Sequence, residues 1–191
     1  MLDYLLSTDT SLFHFFNSTL TFPFFDWLMP YITDYHKHIE LIVPLVIILA
    51  YLFWKGNSLT RITLFLIIPT VVFGDIVNSF ILKHYFARIR PCASLENVRL
   101  LVSCGSGFSF PSSHAVNNFA IATILSFKFK KYSFIYFLFA FTIAYSRVYV
   151  GVHYPLDVVA GAIFGVCSAY FIKFIWNYFQ PKLFPNIIPQ S

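Results

Sequence analysis

Charge is scarce in this chain. Only 11% of its 191 residues are Asp, Glu, Lys or Arg, against about 25% in an ordinary soluble domain. With 58% hydrophobic residues and a mean hydropathy of +0.72, that scarcity excludes both a soluble globular domain and a disordered chain. Cysteine is scarce too, at three residues, which excludes a disulfide-rich secreted module. The net charge is +5, but the basic residues are scattered and form no long run, which argues against a nucleic-acid partner. The chain has no internal repeat and no low-complexity linker. What it does have is 25 Phe and 12 Tyr, aromatic bulk suited to lipid and its interfaces. The composition is that of an all-α integral membrane protein with the bilayer as its partner.

A spanning helix needs roughly 20 mostly apolar residues. The sequence predicts five such spans, making a polytopic transmembrane helical bundle: Ile39–Trp54, Leu59–Leu82, Ser113–Phe127, Tyr132–Val150 and Leu156–Tyr178. Residues 1–38 read differently. Met1–Phe16 and Thr21–Ile32 are rich in Phe and Leu but are broken by Asp3, Asp9, Asn17, Pro23, Asp26 and Pro30. Asp3 stands where a signal peptide would place Lys or Arg. These stretches are expected to be amphipathic helices at the membrane interface, leaving 39–191 as the transmembrane domain. Pro181, Pro185 and Pro189 are expected to end the last helix.

The loops set an orientation. One side collects Lys55, Arg61, Lys128, Lys130, Lys131, Lys173 and Lys182, with no acidic residue. By the positive-inside rule this side is cytoplasmic, with the N-terminus outside and the C-terminus inside.

Three segments hold most of the unusual polar residues, and topology brings all three to the outer face. They are Lys83 to Pro91 at the end of span two, Pro111 to His114 at the start of span three, and Ser146 to Asp157 between spans four and five. Lys83, Arg90 and Arg147 are three cations at the end of a bundle, costly to desolvate without an anion. Arg suits forked contact with phosphate, and Lys acts as a point charge. Ser112 or Ser113 would cap span three, whose free N–H groups favour an anion. His153 and Asp157 are four residues apart, so the carboxylate can fix the imidazole tautomer and leave the other nitrogen as a nucleophile. His114 could act as general acid toward a leaving oxygen. The implied chemistry is phosphoryl transfer to His153, followed by hydrolysis.

Lys83-x6-Arg90-Pro91, Pro111-Ser112-Ser113-His114 and Ser146-Arg147-x5-His153-x3-Asp157 together resemble the motifs of the type 2 phosphatidic acid phosphatase superfamily of membrane lipid phosphatases. Those motifs are Lys-x6-Arg-Pro, Pro-Ser-Gly-His and Ser-Arg-x5-His-x3-Asp. The departure is Ser113 in place of Gly. The resemblance covers about residues 75–161. It implies His153 as nucleophile, Asp157 as its orienting group and His114 as acid/base. It implies Lys83, Arg90, Ser112, Ser113 and Arg147 as phosphate ligands, with no metal ion and no cofactor. It also implies a lipid phosphate substrate, such as phosphatidic acid, phosphatidylglycerol phosphate, polyprenyl diphosphate or lipid A. The orientation places the attack at the outer leaflet, and the compact size without glycosylation-rich loops suggests a bacterial inner membrane. Two other readings use the same residues: a lipid phosphotransferase, and a silent lipid-binding or transport protein.

Some residues fall outside the motifs. Arg88 is a candidate phosphate or headgroup contact. Asp75, on one helical face with Ser79 and Lys83, is expected to hydrogen-bond a neighbouring span or to orient the basic cluster. Cys92 and Cys104 bracket the outer loop and can pair in an oxidising compartment. The residues carry no signature of an oligomeric state.

Overall fold

The computed structural model describes residues 2–183. Within them every regular element is helical. Helix α1 spans Leu2–His14 and runs into a π-helical turn, Phe15–Thr19. Helix α2 spans Pro23–Thr33, with Pro at its start, where a missing N–H costs nothing. A short 3-10 turn, Tyr35–Lys37, leads to α3, Ile39–Lys55. Helix α4, Ser58–Ile76, is capped by Asn57, whose side chain accepts from the Thr60 N–H. It continues through a π-helical stretch, Val77–Leu82, into α5, Lys83–Phe86. After α6, Pro91–Ser94, and a long loop come α7, Ser113–Lys128, α8, Ser133–Tyr149, and α9, Pro155–Leu183.

Each stretch expected to span the membrane is helical. Two helical segments, Ser58–Ser94 and Pro155–Pro181, are long and apolar enough to cross a membrane by length and composition. Helices α3, α7 and α8 have 17, 16 and 17 residues. At 1.5 Å per residue they reach about 24–26 Å, short of the roughly 30 Å hydrocarbon core. Helix α9 does not stop at Pro181 but runs to Leu183. Proline removes one i→i−4 bond, and in a last turn little helix remains downstream to lose. Pro185 and Pro189 lie outside the described residues. The outside of the bundle is apolar: α3 buries no residue and presents Val46, Ile47, Ile48 and Phe53 to the surroundings. Such an exposed apolar face suits lipid rather than water.

Helix α7 is the centre, packed against α4, α8 and α9. Its contact with α9 is backbone-close because α9 offers Gly161 and Gly165, one turn apart. A Cβ at Gly165 would lie 2.2 Å from the Val116 carbonyl oxygen, and one at Gly161 would lie 2.6 Å from that of Ser112. Without a hydrophobic driving force between helices in lipid, such small-residue seams let backbones approach and gain dispersion contacts.

The N-terminal helices are docked into the bundle. Trp27 and Tyr4 are exposed, but Phe13, Asn17, Met29 and Thr33 are buried. Phe13 packs with Val148 and Tyr154, and Met29 packs with Tyr149, Val150 and Val152. Asn17 donates to the carbonyls of Tyr149 (2.8 Å) and Arg99 (2.9 Å) and accepts from the Arg99 N–H (2.9 Å). It thereby ties the N-terminal segment to the turn after α8. That turn needs Gly151, at φ +90°, where a Cβ would also meet the Arg99 carbonyl at 2.9 Å. Cys92 and Cys104 are joined by a disulfide, with Cα atoms 6.0 Å apart, so the loop between α6 and α7 is closed on itself.

Gly165→Ala is expected to cost about 1–3 kcal/mol, because the obstructing atom is backbone and cannot swing aside. Thermal unfolding in detergent checks this. An unchanged midpoint would show that the α7–α9 seam tolerates a wider spacing.

Candidate active site

The site is assembled where α5, α7, α8 and α9 begin or end on one face. His153 lies in the turn between α8 and α9, almost fully buried. Its Nδ1 is 3.3 Å from Asp157 Oδ2, and its Nε2 is 3.2 Å from Arg90 Nη1. The arrangement fits Nδ1–H donating to the carboxylate, with the Nε2 lone pair facing the guanidinium. Asp157 Oδ2 also accepts from the Tyr154 N–H at 2.8 Å. The Asp157 carbonyl accepts from the Ser112 N–H at 3.0 Å, which fixes the start of α7 against the start of α9.

The three expected cations converge. Arg90 is buried and also donates from Nε to the Gly107 carbonyl (3.1 Å) and from Nη1 to the Val152 carbonyl (3.2 Å). Lys83 Nζ donates to the Phe108 carbonyl at 3.1 Å. Buried Arg147 donates from Nη1 to Thr33 Oγ1 at 2.8 Å, with Asp34 at 3.9 Å, and its Nε has no protein partner. These partners are almost all neutral oxygens, so the cluster keeps its positive charge. Among the described residues no group of three His, Cys, Asp or Glu is placed to hold a metal ion. The donor set suits an anion.

The serines divide their work. Ser112 occupies the N-cap position of α7, but its side chain makes no cap bond, and its buried Oγ has no protein partner. Capping therefore does not account for this hydroxyl, which remains available to an anion at the helix start. Ser113 Oγ accepts from Asn78 Nδ2 at 2.9 Å. His114 is half-buried in the first turn of α7. Arg147, His153, His36 and Lys83 are its ionisable neighbours, and the His36 ring centre is 6.1 Å from its own.

Two expectations need correction. Arg88 does not face an open phosphate position, because both arms are taken by carboxylates of the protein: one donates to Asp157 Oδ1 and the other to Asp9 Oδ2, each at 2.7 Å. Asp75 makes no hydrogen bond or ion pair among the described residues, although its charge reaches Lys83. Asn78, at the start of the π-helical Val77–Leu82, continues the buried i, i+4 row of Thr70 and Gly74 and turns inward. Asn78 then joins α4 to the start of α7, donating also to the Pro111 carbonyl at 3.3 Å. Asp9, Thr33 and Asn78 are the participants that sequence reasoning missed. An acid inside an apolar segment was the available signal for Asp9.

A family model described as the PAP2 superfamily matches residues 63–181. The chain belongs to the PAP2 superfamily. This PAP2 chain is 34% identical to the lipid A 4'-phosphatase of Bacteroides thetaiotaomicron, covering 96% of this chain and 83% of that one. It is 29% identical to the undecaprenyl-diphosphatase BcrC of Bacillus subtilis, covering 85% and 78%. The crystal structure of Aquifex aeolicus LpxE superimposes with a TM-score of 0.71 at 31% identity, covering 86% of this PAP2 chain and 94% of that one.

Burial pushes the His153 imidazole down to about 4 from its ordinary 6.5, against the pull of Asp157, with Arg147 and Arg90 adding to the downward push. Lowering the pH therefore leaves Nε2 unprotonated until the solution is well below neutrality. Histidine NMR on 13C-labelled protein in detergent should show the His153 signal titrating near pH 4. A midpoint near 6.5 would contradict the burial argument.

Proposed function

We propose that this PAP2 protein is a lipid phosphatase of a bacterial inner membrane that hydrolyses a phosphate monoester or diphosphate on the outer leaflet. The observation that supports this best is His153 held between Asp157 and Arg90, with Lys83, Arg147, Ser112 and Ser113 converging beside it. In this reading the five long helices span the bilayer, the basic loops lie in the cytoplasm with the C-terminus, and the site faces the periplasm. The positive-inside distribution supports that orientation.

The reaction follows from the residues. His153 Nε2 attacks phosphorus, forming an N–P bond as the P–O bond to the lipid breaks in line. His114 gives a proton to the departing oxygen. Lys83, Arg90 and Arg147 offset charge on the equatorial oxygens, with Ser112, Ser113 and the α7 N-terminus as further donors. Water then attacks phosphorus and gives a proton back to His114, the N–P bond breaks, and inorganic phosphate leaves with His153 neutral again. A relative matched over 96% of this chain is named a lipid A 4'-phosphatase, which supports a lipid A phosphate as the first candidate substrate.

Phosphate release by the purified protein in detergent tests the reading, with EDTA present and His153→Ala as control. The panel is lipid A, undecaprenyl diphosphate, phosphatidylglycerol phosphate and phosphatidic acid. Release from at least one lipid should survive EDTA and fall by at least about 10³-fold in the variant, as expected for loss of a covalent nucleophile. Release that persists in His153→Ala would sink the phosphohistidine route. Labelled phosphate appearing on an added acceptor lipid instead of in water would identify a transferase.

A further inference from the structure

The carboxylate that orients His153 is held through two residues that match no motif position, Arg88 and, in α1, Asp9. Asp157 uses Oδ2 for His153 and the Tyr154 N–H. Its Oδ1 accepts from Arg88 Nη1 at 2.7 Å, and Arg88 Nη2 donates to Asp9 Oδ2 at 2.7 Å. Asp9 Oδ1 in turn accepts from the Leu156 N–H at 2.9 Å, at the start of α9. The guanidinium lies 3.8 Å from the centre of the Tyr154 ring. The Tyr154 hydroxyl is 3.0 Å from Ser94 Oγ, which donates to the Arg90 carbonyl at 2.9 Å. The Asp9 and Asp157 side chains are 1% and 0% exposed, and that of Arg88 is 18% exposed.

We propose that Arg88 and Asp9 are positioning residues for His153, with the Asp9–Arg88–Asp157 chain fixing the carboxylate so that the imidazole presents Nε2 to phosphorus. The proposal rests on the reading of His153 as nucleophile. A free carboxylate has two equivalent oxygens and can rotate between partners. With Oδ1 clamped by a rigid guanidinium fork, only Oδ2 faces Nδ1. Asp9 has a separate task. A guanidinium close to a bound phosphate dianion would be drawn to it, and Asp9 holds Arg88 on the carboxylate side. Helix α1, outside the region matched by the family model, thereby becomes part of the catalytic apparatus.

The test uses the full-length protein in detergent with Arg88→Ala, Arg88→Lys and the isosteric Asp9→Asn. Two readouts are taken: kcat and KM for phosphate release from lipid A, and the NMR titration of His153, assigned by its loss in His153→Ala. The groups facing His153 are Asp157, Arg90, Arg147 and His114. Removing Arg88 leaves the Asp157 charge less compensated, so the imidazolium is better stabilised. The His153 midpoint should rise from about 4 by about one pH unit or more. The kcat should fall roughly 10–100-fold, the scale for partners that orient an imidazole. The KM should stay within about threefold, because Arg88 does not touch the phosphate. Asp9→Asn should move both readouts in the same direction by less. Arg88→Lys should recover part of the titration but not kcat, since one ammonium lacks the fork. A raised KM with unchanged kcat would make Arg88 a substrate contact and overturn the proposal. Lost turnover with an unmoved His153 titration would reduce the chain to a structural brace and overturn it equally. The titration reads the imidazole whether or not lipid A is hydrolysed, so failure of the substrate reading and failure of this one remain distinguishable.

Discussion

A buried carboxylate sets the constraints here. Stripping Asp157 of water costs several kcal/mol unless its oxygens are paired, and the groups that surround His153 on that side are arranged around that need. The Tyr154 N–H and His153 meet one oxygen, and Arg88 meets the other. The Asp157 backbone carbonyl holds the Ser112 N–H. One residue thus orders the imidazole, the start of α9 and the start of α7. Gly161 makes the last possible, because a side chain there would meet the Ser112 carbonyl at 2.6 Å. The α7–α9 seam and the His153–Asp157 pair are therefore one device: loosening the seam would shift the site.

The cations complement this economy of negative charge. Arg88 is spent on Asp9 and Asp157, whereas Arg90 and Lys83 are held by backbone carbonyls and Arg147 by a threonine hydroxyl with Asp34 at the margin. Neutral acceptors orient a guanidinium or an ammonium without cancelling it. The cluster can then respond most strongly to a group whose negative charge increases, which is what separates stabilising a transition state from merely binding substrate. The four basic side chains around the site thus have two kinds of work, distinguished by whether their partners are charged.

The gathering of the candidate site's residues was legible in the sequence more readily than the scaffold's finer parts. Lys83, Arg90, His114, Arg147, His153 and Asp157 lie in spaced motifs, and three cations, two imidazoles and a carboxylate at those spacings have little use apart from holding and transferring an anion. The alternation of spans then placed them on one face. The five long helices were readable because apolar runs in a low-charge chain have few alternatives. Three features were not. Asn78 was passed over, because its inward position comes from the packing of the Thr70–Gly74 face of α4 against α7, which an apolar run does not mark. The role of Arg88 depended on Asp9, a partner 79 residues away, and no local spacing rule reaches that far. The burial of Asn17 and Thr33 followed from tertiary docking of α1 and α2, which amphipathicity alone assigned to the interface.

That docking changes how the division of labour in such a chain is understood. The motifs read a phosphate, and nothing in their chemistry reads the lipid attached to it. Residues 1–38 could be regarded as the portion free to vary with the lipid, were they only interfacial. Yet Thr33 holds Arg147, Asp9 holds Arg88, and Asn17 holds the turn that leads to His153. A substitution in α1 or α2 that disturbed one of these contacts would also move a cation or the carboxylate beside His153, at a distance of one hydrogen bond. On the proposed function, a change of substrate preference made through these helices must therefore preserve three buried polar contacts to leave the geometry around His153 intact.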